Sequence, residues 1–142
     1  MDKQINGFTL IEMLFVVMIL GVLIFIAVPI VIKSIERQEI KQFFAVLEAD
    51  VFFIQNQALG TRQNYRIVFD EDYYIILGDK NGNDIKRHYP THFTQDVKIN
   101  NRVTFSTQGT IIDPIKLLFK HRDTKYKIVF PLGKGRYYVE EE

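Results

Sequence analysis

A long apolar stretch near the N-terminus limits what this 142-residue chain can fold into. Residues 13–32 form a run of 20 residues without a formal charge, and nearly all of them are apolar. A helix of that length, rising about 1.5 Å per residue, spans roughly 30 Å, which is the thickness of the hydrocarbon core of a bilayer. A chain this short has too little core to bury a helix that is apolar on every face. The sequence therefore predicts a single membrane-spanning helix.

The start of this stretch carries an acid, Glu12, and does not look like a cleaved secretory signal. A secretory signal peptide has an apolar core of about 7–15 residues followed by a small-residue cleavage site. The apolar run here is longer, and Ala27-Val28-Pro29 provides no such site. An acid at the centre of a bilayer costs about 2.5–3.5 kcal/mol and somewhat less near an end, so Glu12 indicates a functional role.

Residues 7–12 read G-F-T-L-I-E and, with the apolar helix that follows, resemble the prepilin signature of type IV pilins and of the pseudopilins of type II secretion and competence systems. The resemblance implies that a membrane peptidase cleaves between Gly7 and Phe8 and that Phe8 is N-methylated. It also implies that Glu12, the fifth residue of the mature chain, serves filament assembly. Gly21 and Pro29 stand where many pilins carry a helix-weakening glycine and proline.

Elementary electrostatics agrees with the implied cleavage. The new amine of Phe8 would lie about 6 Å along the helix from Glu12, and nearer to the Glu12 of a neighbouring subunit. Both charges are costly in lipid, so pairing Glu12 of one subunit with the Phe8 amine of the next relieves both. The alternative interpretation is that Glu12 extends to the level of the lipid headgroups.

After residue 32 the helix is expected to continue with an amphipathic pattern. Charged residues mostly occupy other faces than the apolar stripe, and Gly60 is a plausible stop. This pattern places Asp50 with the charged residues on the polar faces. The stripe repeats at steps of three and four residues and consists of Ile40, Phe44, Leu47, Val51, Ile54 and Ala58, widened by Phe43 and Leu59.

The rest of the chain has the composition of short strands separated by turn residues. Strands are predicted at 65–69, 73–77, 97–99, 102–105, 111–112, 115–119, 126–130 and 136–139, with 140–142 as a solvated tail. A helix followed by strands predicts an α+β, pilin-like fold in which the long N-terminal helix packs on an antiparallel sheet domain. The expected divisions are a leader at 1–7, a transmembrane half-helix at 8–32, an amphipathic half-helix at 33–60 and a β-rich domain at 61–142.

The C-terminal part resembles the endings of H-type minor pseudopilins, and in size and leader the chain is most like a competence minor pseudopilin. The resemblance rests on residues 105–111, F-S-T-Q-G-T-I, and on Lys134-Gly135-Arg136. The chain also has no cysteine, so it lacks the C-terminal disulfide of many major pilins. This absence favours a minor pilin or pseudopilin.

No catalytic or metal site emerges from the spacing of reactive residues. Ser34 and Ser106, the only serines, have no nucleophile elbow, and Pro90 lies between His88 and His92, which argues against a helical histidine pair. The loop oxygens of residues 79–84 leave calcium binding as an alternative, but Asp84 stands where the calcium loop needs glycine, which favours a plain hairpin turn. We therefore expect no enzyme activity, no cofactor and no metal.

A basic segment near the C-terminus is the surface feature that points to a ligand. Basic side chains with the interleaved aromatic Tyr126 could contact phosphates and stack on a base. The alternative is a solvated hairpin whose charges keep a sheet edge from pairing with its neighbours. The candidate DNA contacts are Lys116, Lys120, Arg122, Lys125 and Lys127.

The predicted function is that of a minor pseudopilin, a structural subunit of a pilus-like competence filament that takes part in DNA uptake. The resemblance implies other pilins, a prepilin peptidase, an assembly ATPase, a membrane platform protein and membrane lipid as partners. It places the leader in the cytoplasm before processing and the domain at the surface in the filament, although the charges around the span favour the opposite orientation. The alternatives are a pseudopilin of a type II secretion system and an uncleaved single-span protein with an outer ligand-binding domain.

Overall fold

The computed structural model describes residues 9–77, 84–96, 101–122 and 124–141. Over these ranges the chain forms one helix followed by eight strands, and it divides into two compact units, residues up to Glu39 and Ile40–Glu142. The helix α1 covers Leu10–Thr61. The strands are β1 Tyr65–Phe69, β2 Tyr73–Leu77, β3 Ile85–His88, β4 Phe93–Asp96, β5 Arg102–Phe105, β6 Ile115–His121, β7 Thr124–Phe130 and β8 Tyr138–Glu141.

The described part of the first unit is helical from Leu10 onward and exposes its apolar side chains. Phe25 is 83% exposed and Ile24 is 61% exposed, although both are strongly apolar. The uncharged stretch is therefore apolar on all sides, as the sequence predicts, with no protein surface covering it. Such a surface is suited to lipid or to other apolar helices.

The second unit contains two four-stranded antiparallel sheets. The first sheet has the order β3-β2-β1-β5, and the second has the order β4-β6-β7-β8. In the first sheet Ile67 pairs with Ile76 on one side and with Val103 on the other. In the second sheet Leu117 pairs with Ile128, so apolar residues of adjacent strands share the inward face.

One hydrophobic core joins both sheets to the helix from Ile40 onward. Aromatic rings fill its centre: Phe93 stacks on Phe119 with ring centroids 4.9 Å apart, and Phe43 lies edge-on to Tyr89 at 5.6 Å. The helix contributes seven buried residues, namely Ile40, Phe43, Leu47, Asp50, Val51, Ile54 and Ala58. The predicted fold class, a long N-terminal helix with antiparallel sheets packed on its second half, is confirmed.

The helix differs from the prediction at its edges and at its end. Phe44 is only half-buried, and Leu59 is exposed, so the stripe is narrower than expected. The helix passes through Gly60, the predicted stop, and ends at Thr61, and the next residue, Arg62, has a positive φ of 54°. The hydroxyl of Thr61 donates to the carbonyl of Gln57 at 2.7 Å, which satisfies one of the last helical acceptors.

Several strands also differ from their predicted bounds. The sequence did not indicate β3 and β4, because their residues IKRH and FTQD are largely polar and they lie at sheet edges. Ile111 makes an isolated bridge to Phe105 rather than a strand. β6 and β7 are longer than predicted, and Glu140 and Glu141 belong to β8 instead of a solvated tail. The strand predicted at 97–99 lies outside the described residues.

Candidate functional site

The N-terminal end of α1 holds the acid that the sequence singles out. Thr9 caps the helix: its hydroxyl accepts a hydrogen bond from the backbone N–H of Glu12 at 3.3 Å, and its carbonyl accepts from Met13 N–H at 3.2 Å. Glu12 is exposed in the first helical turn, where a negative charge is favoured by the helix dipole. The pattern T-x-x-E before an apolar run is a capping signal that could have identified Thr9 from the sequence.

Of the remaining predicted processing and assembly residues, two lie within the part of the chain that the structure describes and two lie outside it. Gly7 and Phe8, the predicted cleavage site, lie outside the described residues. Gly21 and Pro29 lie within α1, which continues through both. A Cβ added at Gly21 would meet no heavy atom within 4 Å, so the isolated chain has no steric need for glycine there.

Within the described residues, α1 is the one helix long and apolar enough to cross a membrane. Its apolar stretch is unburied and lies near the N-terminus. Together with the capped acid at its start, this stretch is the candidate assembly site: it offers apolar surface on all sides and a single carboxylate at one end.

The second candidate site is a lysine-rich surface on the outward side of β6 and β7. Residues directly opposite each other in an antiparallel pair point to the same face, and residues two apart along a strand do so as well. Lys120 pairs with Lys125 and Leu118 pairs with Lys127, and Lys116 lies two residues before Leu118. We call this surface the lysine face; it comprises Lys116, Lys120, Lys125 and Lys127.

The structure corrects two expectations about this basic segment. Tyr126 belongs to the inward face, where its ring packs 5.6 Å from Phe44 and 5.7 Å from Phe93, so it is not placed to stack on a base. His121 is buried on the same inward side. The edge-protection alternative does not fit Lys120, which is paired with both β4 and β7, whereas Lys125 lies just before the part of β7 that is paired with β8.

The five predicted cations are not equivalent in their surroundings. Lys116, Lys120 and Lys125 are exposed, whereas the ammonium of Lys127 lies 2.6 Å from the carboxylate of Glu140 on the neighbouring strand. Arg122 lies in the turn between β6 and β7 with a φ of 53°. The structure thus brings four of the predicted residues onto one face and places the fifth at its end.

The helix carries a buried carboxylate, Asp50, although the sequence pattern predicts that this residue faces solvent. Its carboxylate accepts a hydrogen bond from the hydroxyl of Tyr74 at 2.6 Å and from Nε of Arg87 at 3.2 Å. Burial, together with the hydrogen bond to Asp50, raises the pKa of Tyr74, and the hydrogen bond to Asp50 raises the pKa of Arg87. The network joins the helix to β2 and to the edge strand β3, which is a structural role.

The segment between β7 and β8 is bound to the same helix by hydrogen bonds. The hydroxyl of Tyr137 donates to the carbonyl of Phe44 at 2.9 Å, and the amide of Gln55 donates to the carbonyl of Gly135. Gly109 has a φ of 71°, which suits glycine, and a Cβ added there would lie 3.4 Å from the Cβ of Gln55, so this turn passes close to the helix. The turn residues that resemble pseudopilin endings therefore contact the helix directly.

Comparison with known proteins adds evidence on the class of protein. The family pattern described as the prokaryotic N-terminal methylation motif matches residues 2–28. The chain is 26% identical to competence protein ComGD of Bacillus subtilis (strain 168) over 139 residues, which is 96% of this chain and 94% of that protein. No solved structure shows a significant match. The predicted resemblance to a competence pseudopilin is confirmed, and the chain has the motif and apolar helix of a membrane-anchored, single-pass pilin-like protein.

Proposed function

We propose that this ComGD-like chain is a minor pseudopilin, a structural subunit of a pilus-like filament that serves DNA uptake in competence. The observation that carries the proposal is the methylation motif at the start of an exposed apolar helix, in a chain similar to a competence protein over nearly its full length. A structural subunit needs no catalytic group, and the polar network at Asp50 has a structural explanation.

In this function the apolar helix has two successive environments. Before assembly it anchors the precursor in the bilayer, with residues 1–7 in the cytoplasm. After a prepilin peptidase cleaves between Gly7 and Phe8, the same apolar surface packs against the helices of neighbouring subunits, and the two-sheet unit faces outward. An assembly ATPase and a membrane platform protein drive this transfer.

Glu12 directs the packing through its charge. Its exposed position at the first turn of α1 leaves the carboxylate available to the methylated amine of Phe8 on a neighbouring subunit. Pairing the carboxylate with the amine lowers the cost of keeping both charges in an apolar environment. It favours one axial register between subunits, because a shift of one helix along the other would separate the two groups.

Mass spectrometry of the N-terminus of the chain purified from its own cells tests the proposal. We expect a chain that begins at Phe8 and carries one additional methyl group. A chain that still begins at Met1 would contradict the filament function and favour the uncleaved single-span protein. Treatment with a general protease inhibitor during preparation controls for unrelated trimming of the leader.

The choice between a competence filament and a type II secretion filament rests on the similarity to ComGD. Deleting the gene should abolish transformation by added DNA and leave the secreted protein pattern unchanged. A deletion strain that loses secreted proteins while it transforms normally would favour the secretion system instead.

A further inference from the structure

We propose that the lysine face binds the phosphate backbone of duplex DNA without reading its sequence. This inference rests on the proposed function, because the competence context selects DNA among polyanions. It goes further by assigning the contact to one face of one sheet.

The first argument is the arrangement of the charges. Lys116 and Lys120 are four residues apart on β6, which corresponds to about 13 Å along a strand. Lys125 lies directly opposite Lys120, at a distance of about 5 Å between Cβ atoms. The exposed cations therefore form a row along the sheet and not a cluster in a loop.

The second argument is that the fold does not explain this arrangement. Like charges directly opposite each other on neighbouring strands are destabilising. Edge protection does not account for Lys120, because this residue is paired with Thr94 of β4 on one side and with Lys125 of β7 on the other. A polyanion bound to this face would neutralise the lysines, so relief of their mutual repulsion would add to the free energy of binding.

The third argument is that three other cations of the second unit are held by structural partners. Arg87 pairs with the buried Asp50, the ammonium of Lys86 lies 3.6 Å from the ring centroid of Tyr73, and Lys127 pairs with Glu140. Lys116, Lys120 and Lys125 are exposed on the outward side. They form the part of the lysine face that we assign to the ligand.

The shape of the face favours the duplex backbone over the bases. Each DNA strand presents one phosphate per about 3.4 Å of helix axis, so a row of about 13 Å faces roughly four phosphates. Four strands spaced about 4.8 Å apart are roughly 14 Å wide before side chains are added, which exceeds the major-groove width of about 12 Å. Tyr126 points inward, so it is not placed to stack on bases, and contacts to phosphates alone carry no sequence information.

The test uses the full chain in micelles of an uncharged detergent and a fluorescein-labelled duplex of roughly 30 base pairs, long enough to cover the row several times over. Fluorescence anisotropy is measured between about 50 and 200 mM salt, the range over which phosphate contacts change affinity most clearly. The site variant is K116Q/K120Q/K125Q. The matched control is R66Q/K86Q/R102Q, which removes three exposed cations from the first sheet.

We expect the site variant to bind duplex DNA at least about tenfold more weakly at about 100 mM salt, with a salt slope smaller by about 2 to 3. The control should change affinity less than about threefold, because it removes the same number of positive charges without altering the lysine face. Circular dichroism of both variants should match wild type, since all six positions are exposed.

Two results would overturn the inference: unchanged affinity in the site variant, or equal losses in both variants. Preferential, lysine-dependent binding to phosphatidylglycerol vesicles over DNA would also overturn it, in favour of a membrane surface. N-terminal processing and filament incorporation of the same site variant are measured in parallel. Normal processing and incorporation with wild-type DNA binding would exclude the lysine face while leaving the proposed function intact.

Discussion

Asp50 shows how a single buried carboxylate can hold three elements together. The residue is 6% exposed, and an unpaired carboxylate at that depth would be strongly unfavourable. The hydroxyl of Tyr74 and the guanidinium of Arg87 satisfy it, and they come from β2 and β3. The short polar strand β3 pairs with β2 alone, so this ion pair gives it a second attachment.

We expect Asp50→Ala to lower the free energy of unfolding by about 1–3 kcal/mol, because it leaves the buried hydroxyl of Tyr74 without its acceptor. Arg87 can turn to solvent, since its side chain is 46% exposed, and contributes less to the loss. The measurement is urea unfolding of the full chain in detergent, followed by circular dichroism. Glu48→Ala, at an exposed position of the same helix, should change the value by less than about 0.5 kcal/mol. Equal effects of the two substitutions would contradict the structural role of Asp50.

The raised pKa of Tyr74 predicts that the protein loses stability at alkaline pH. Burial and the hydrogen bond to Asp50 raise its pKa, so the folded state keeps the proton while the unfolded tyrosine ionises near pH 10. The stabilisation is fully present below about pH 9, and between about pH 9 and 11 the unfolding free energy falls by about 1.4 kcal/mol for this residue.

The comparison of wild type with Tyr74→Phe at pH 9 and pH 11 isolates this contribution. The variant should lose about 1.4 kcal/mol less than wild type over the interval, because phenylalanine has no proton to release. Burial also raises the pKa of Tyr89 and of Tyr137, so part of the alkaline loss should remain in the variant. Identical losses in both proteins would refute the assignment.

At the scale of elements, α1 has two kinds of surface within one helix. Up to residue 32 its apolar side chains are exposed on all sides, whereas from Ile40 onward one stripe is buried in the core. The change follows the charged residues that begin at Lys33. One element therefore supplies both an exposed apolar segment that is long enough to span a bilayer and a part of the folded core.

Two leucines of this helix permit a matched test of the buried stripe. Leu47 is fully buried, whereas Leu59 is 56% exposed although the sequence pattern placed it beside the stripe. Leu47→Ala should lower the free energy of unfolding by about 2–5 kcal/mol, because it leaves a cavity in the core. Leu59→Ala should cost less than about 0.5 kcal/mol in the same urea titration. A large effect of Leu59→Ala on the isolated chain would show that the stripe extends further than the structure indicates.

At the scale of the whole molecule, the proposed function requires one chain to exist first in a bilayer and then in a filament. The apolar surface of residues 10–32 suits both environments, because lipid and neighbouring apolar helices cover it equally well. Apolar packing alone has little preference for one axial register. In the proposed function, the pairing of the Glu12 carboxylate with the Phe8 amine of a neighbouring subunit provides the preference for one register.

We expect Glu12→Leu to leave membrane insertion and cleavage intact but to reduce incorporation into filaments at least about tenfold, since about 1.4 kcal/mol of lost pairing per contact corresponds to that factor. Immunoblotting of sheared filaments against the membrane fraction measures the ratio. Glu48→Leu serves as the control because it removes an acid from an exposed position of the second unit. Wild-type incorporation of Glu12→Leu would refute the electrostatic account of assembly.

The local sequence was sufficient to predict the long apolar helix, the methylation motif, the helical stripe and most of the strands. β1, β2 and β5 have the bounds that alternation and turn residues predicted, and the apolar run is unburied as expected. These features depend on periodicity and on transfer of apolar surface, which are properties of neighbouring residues.

Only the tertiary structure decided the features that depend on partners distant in sequence. Asp50 is buried because Tyr74 and Arg87 reach it from two strands, and polar β3 is a strand because β2 offers it an edge. Strand order likewise placed the lysines on inner strands, and the aromatic core covered the face of β7 that carries Tyr126. Periodicity assigns a residue to a face of its own element, but the burial of that face and the partners that satisfy it are set by the packing of elements far apart in the chain.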